Sequence, residues 1–120
     1  MGNCVVYRSH RGFVIGSKMS IKNINLNNVV IKSTKGIEIF EAENISLKNA
    51  EIYSTKLNRL VFVENSSRIL FNGLKYSVNP ELLISVSGDK TNLINFSNTL
   101  IDKSKIKYSN KASDLSVEIK

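Results

Sequence analysis

Few residues in this chain could do chemistry, and their spacing restricts what that chemistry could be. There is one histidine, His10, flanked by Arg8 and Arg11 in Arg-Ser-His-Arg. A histidine can move a proton near neutral pH, and a guanidinium fork suits a planar carboxylate, so the trio would fit an anionic substrate. The ordinary alternative is a solvated turn. Carboxylates are dense only at Glu38, Glu41 and Glu43. Alternation puts Glu38 on an outer face and Glu41 near a turn, and the expectation for all three is a solvated surface rather than an acid–base pair. The three aspartates, Asp89, Asp102 and Asp114, fall far downstream among turn residues. Cys4 is the only cysteine; it has no internal disulfide partner and no neighbouring base, so it reads as a small core residue. No His/Cys cluster has metal-ligand spacing and no glycine-rich loop could cradle a phosphate, so no cofactor or metal is expected.

The elements that must carry these residues repeat. Lys22–Ile31, Glu43–Ile52, Ser67–Tyr76 and Asn92–Ile101 each contain an apolar–polar–apolar beat, a turn residue and a second short beat. Aligned on the turn, the register is Asn28, Asn49, Gly73 and Asn98, with Asn3 extending it backwards. Asparagine and glycine tolerate the left-handed backbone region that other residues avoid, so one such residue per period marks a repeated bend. Hydrogen bonds between the stacked Asn side chains are expected to satisfy buried amides there. A second alternating run follows each copy, at Gly12–Ser17, Gly36–Ala42, Leu60–Ser66, Leu82–Gly88 and Ser104–Asn110.

A repeat of a little over twenty residues with two or three short strands in each predicts an all-β solenoid: one domain spanning 1–120, of about five rungs, without helices. Like should stack on like, Ile24 on Ile45, Ile69 and Ile94, and Leu26 on Leu47, Phe71 and Phe96. Ile37 and Ile39 should correspond to Val61 and Val63, and a last strand should restart at Leu115 and Val117. Short inserts are placed at Ser54–Asn58, Val78–Glu81 and Asp89–Thr91. Met1–Val6 enters rung register with no candidate cap, which suggests truncation or burial of an uncapped rung by self-association.

Seventeen basic against ten acidic residues make a formal charge of +7. That favours an acidic partner such as a polyuronate. The lysines are scattered singly and aromatic residues do not interleave with them, so nucleic acid is not expected. No apolar run reaches membrane-spanning length and no signal peptide is seen, leaving the location open.

Asn3–Ser20 resembles the segment of glycoside hydrolase family 28, the polygalacturonases and related pectinases, that carries Gly-His-Gly followed by an apolar strand and Gly-Ser. Ser20–Lys120 is similar to the closing rungs of bacterial members, where Gly-Ile-Glu-Ile-x-Glu-Ala (here Gly36–Ala42) follows Asn-Val-Val-Ile (here Asn28–Ile31). The resemblance implies a right-handed parallel β-helix acting on pectin, usually in a secreted or periplasmic protein. It assigns His10 to the family's active-site histidine, with Ser9 and Arg11 in place of the flanking glycines. Arg8 and Arg11 become candidate substrate-binding residues. Family members hydrolyse with inversion, which needs a carboxylic acid on the glycosidic oxygen and a carboxylate to activate water. Their Asn-Thr-Asp and Asp-Asp motifs, on rungs before the histidine, have no counterpart here, nor has their Arg-x-Lys motif. The expectation is a pectinase-like set of closing rungs that hydrolyses nothing alone; the alternative is a non-catalytic solenoid that binds an anionic polysaccharide or a partner chain.

Overall fold

The computed structural model describes residues 5–9, 13–15, 21–33, 36–53, 59–77, 80 and 82–119, with backbone alone at 5–9, 13–15, 21 and 33. The chain is a parallel β-solenoid of about four turns. Three strands make each turn, one for each of three sheets. The first sheet stacks β1 (Val5–Ser9), β4 (Val29–Ser33), β7 (Glu51–Tyr53) and β10 (Lys75–Tyr76). The second stacks β2 (Phe13–Ile15), β5 (Ile37–Phe40), β8 (Arg59–Glu64), β11 (Leu82–Ser87) and β13 (Ile106–Ser109). The third stacks β3 (Ile21–Asn27), β6 (Ala42–Lys48), β9 (Ser67–Asn72), β12 (Asn92–Ser97) and β14 (Val117–Ile119). Among the described residues the only helical element is a single 3-10 turn, Lys103–Lys105, which Asp102 caps by accepting from the Ser104 amide.

The core follows from period-2 alternation, because inward residues of successive turns must lie directly above one another. Ile24, Ile45, Ile69 and Ile94 pair in that order and Val117 continues the column. Leu26, Leu47, Phe71 and Phe96 form the next, with Ile119 above them. The Phe71 and Phe96 rings stack 4.7 Å apart at 8°, the separation that strand spacing of ~4.8 Å imposes on paired residues. Ile37 pairs with Val61 and Ile39 with Val63. The final strand keeps the expected register but not its expected start: Val117 and Ile119 turn inward, whereas Leu115 sits in the preceding turn and is 89% exposed.

The bend residues Asn28, Asn49, Gly73 and Asn98 all have positive φ, between 52° and 75°. Each of the first three donates its amide to the carbonyl of Lys48, Asn72 and Ser97 respectively, on the next turn. The first strand departs from the alignment on Asn3: β1 pairs Val5 with Val29, one residue away from an Asn3–Asn28 match. Asn3 and Cys4 lie outside the described residues, as do the inserts at 54–58 and most of 78–81. Two asparagine pairs bridge turns at exposed positions rather than as a buried column: Asn44 donates to Asn23 at 2.7 Å and the bend residue Asn98 to Asn72 at 2.8 Å.

The inner corners hold hydroxyls. Ser66 Oγ accepts from the Ala42 amide at 3.0 Å and donates to its own chain at Glu64 O. Thr99 Oγ1 treats the Leu74 amide and Ser97 O in the same way. Thr91 is therefore no insert residue; it occupies the corner above Ser66, buried, with its hydroxyl donating to Ser87 O. A buried backbone amide at a corner has left one sheet and not yet entered the next, so a short side-chain oxygen must serve it.

Candidate functional site

The outer face of the first sheet gathers the most chemistry. Outward positions form two columns: Val30, Glu51 and Lys75 in one, Lys32 and Tyr53 in the other. Arg8 of β1 is in register with Lys32, so its backbone continues the second column by one turn. His10 and Arg11 lie outside the described residues.

Tyr53 is 46% exposed, and its hydroxyl donates to the Glu51 carboxylate on the same strand. That hydrogen bond, with the carboxylate's charge, raises the phenol above its ordinary value, because losing the proton would leave two anions together. Glu51, Tyr53, Lys75, Tyr76 and Ser77 line a groove of about 290 Å³. The groove offers an aromatic face, an ammonium group and a carboxylate on adjacent rungs. The aromatic face and the ammonium group suit a sugar ring that carries a negative charge, and among the described residues the groove has no second carboxylate for acid–base hydrolysis.

The carboxylates singled out in the sequence do not converge. Glu43 forms an exposed ion pair with Lys22 at 3.7 Å. Glu41 stands at a bend with φ 49° and accepts from Asn65 at 3.3 Å. Glu38 points outward as expected but is not solvated: it is only 9% exposed. Arg59, one turn further on, reaches it at 3.4 Å while lying 4.2 Å above the Phe62 ring, which packs against Phe40. A buried carboxylate needs such a partner, since desolvation costs several kcal/mol per ion. Glu38 is held as a structural counter-ion. Asp89, Asp102 and Asp114 all lie outside strands, as expected, and the hydrogen bonds from Ser104 keep the exposed Asp102 carboxyl below its ordinary value. Among the described residues no three His, Cys, Asp or Glu side chains are grouped to hold a metal. Also among them, no helix is long and apolar enough to cross a membrane.

No family model, curated protein or solved structure matches this chain. Sequence reasoning missed Tyr53, Glu51 and Lys75, although Glu51-Ile-Tyr53 alternates and so announces two outward side chains around a core isoleucine.

Proposed function

We propose that this chain is a non-catalytic β-solenoid that binds an anionic polysaccharide of the pectin type along the outer face of its first sheet. The observation that carries the reading is the placement of exposed Tyr53 among Lys32 and Lys75 on successive parallel rungs. Rungs recur every ~4.8 Å, so an extended glycan crossing them meets a new outward side chain at each step. The resemblance to family 28 supplies the ligand class, and the missing Asn-Thr-Asp and Asp-Asp motifs argue against turnover by this chain alone. The scattered positive charge favours an acidic glycan over a neutral one.

Retention on an immobilised polygalacturonate column tests this. Binding is expected at low salt and should fade as the screening length shrinks from ~30 Å at 0.01 M to ~8 Å at 0.15 M. Lys32→Gln and Lys75→Gln should each weaken it roughly two- to five-fold, the range of exposed ion pairs. Absence of retention at low ionic strength would sink the proposal. A reducing-sugar assay on polygalacturonate should show no release; turnover that disappears in His10→Ala would restore the hydrolase reading.

A further inference from the structure

We propose that the outer face of the third sheet carries a separate binding site for a small carboxylate with an apolar body. That sheet carries a fault repeated in every described turn but the last. In four successive turns the residue before the inward isoleucine leaves the strand register and adopts positive φ: Asn23 at 62°, Asn44 at 60°, Arg68 at 56° and Leu93 at 54°. The pairing skips each of them, passing from Lys22–Glu43 to Ile24–Ile45 and from Asn92–Ser67 to Ile94–Ile69. Asparagine is comfortable in this conformation, and in the first two turns the pair closes on itself through the Asn44–Asn23 amide hydrogen bond. Arginine and leucine are poor choices there on conformational grounds. Local strain of this kind is a reason to ask what the side chains do.

Both flank a groove of about 360 Å³, lined also by Leu70, Asn95 and Ser97 and bounded by Asn44. That volume is at the lower end for small-molecule sites, too little for a macromolecular docking face. Its chemistry is mixed in a useful way. Arg68 is an exposed cation with no hydrogen-bond or ionic partner among the described residues. Leu93 is 55% exposed, and Leu70 is half-buried in an outward position. Asn95 and Ser97 supply amide and hydroxyl groups on the next strand. A guanidinium fork recognises a carboxylate bidentately, and two leucines beside it remove an adjacent apolar body from water. This site stands on a different sheet from the proposed glycan face and does not depend on it.

The test is an amide NMR titration of the full chain with hexanoate, and with hexanol as the uncharged control. Saturable shifts at Asn44, Leu70, Asn95 and Ser97 are expected with hexanoate at roughly millimolar concentration and not with hexanol. Arg68→Asn should weaken hexanoate at least about tenfold while raising the melting temperature, because Asn suits the backbone better. Leu93→Asn should weaken it about fivefold, also without loss of fold. The opposite signs separate lost binding from damaged structure. Non-saturable shifts, equal shifts with hexanol, shifts confined to the first sheet, or wild-type affinity in Arg68→Asn would each overturn the proposal.

Discussion

Two serines, both outwardly similar Ser-to-Ala candidates, should respond with different signs when truncated. The buried Ala42 amide donates to Ser66 Oγ at 3.0 Å, and that hydroxyl in turn donates to Glu64 O. Ser66→Ala strands a buried N–H and leaves a carbonyl short of a donor. An unsatisfied buried donor costs about 1–3 kcal/mol, so about 2 kcal/mol is expected. A domain of this size loses about 4 °C in Tm for each kcal/mol, giving a fall of about 8 °C. Ser46 Oγ is buried with no hydrogen-bond partner among the described residues. Ser46→Ala removes a hydroxyl that has already lost its water, so stability should stay level or rise by up to ~1 kcal/mol. Calorimetry or denaturant unfolding of the two variants decides the matter. Equal losses, or an unchanged Ser66→Ala, would refute the claim that corner hydroxyls serve the backbone of the neighbouring turn.

Gly36 sits at φ 69° and a Cβ there would lie 2.1 Å from the Leu60 carbonyl oxygen, so Gly36→Ala should lower soluble yield sharply while Asn49→Gly is near neutral. Phe71→Ala should cost about 3–5 kcal/mol, measured by denaturant unfolding, because it empties half of a buried ring stack. Tyr53 should ionise above the usual tyrosine range in a 295 nm titration, and Glu51→Gln should bring it down. Because its folded value is raised, whatever the Tyr53–Glu51 bond adds to stability is present below pH ~10 and is lost as pH climbs through the raised value. If copies of the chain associate through Leu100, which is 90% exposed, sedimentation should show concentration-dependent oligomers that Leu100→Ser weakens; a stable monomer at high concentration would count against it.

Much of the solenoid was legible because its rules are local. An Ile or Leu at every second position, with an Asn or Gly at a constant distance, specifies both the inward columns and the bend, and Ile24–Ile45–Ile69–Ile94 stack as read. Errors arose where one local signal had two outcomes. Leu115 and Val117 share an alternating phase with Ile119, yet the chain turns at Ser113–Ser116 and only the latter two enter the core. Thr91 reads as loop beside Asp89 and Lys90, but the corner needs its hydroxyl. The second positive-φ series, Asn23 to Leu93, was hidden because two of its four members are residues that do not advertise that conformation.

What the sequence by itself determined is the period, the inward columns and the outward direction of Glu38, because side-chain direction in a strand depends only on parity. Only the tertiary structure decided which outward residues meet. Arg59 lies twenty-one positions from Glu38, yet one turn of the solenoid brings them to 3.4 Å and turns an apparent surface acid into a buried counter-ion. Lys32, Tyr53 and Lys75 come together for the same reason: in a parallel stack, sequence distance of one period becomes a single strand spacing.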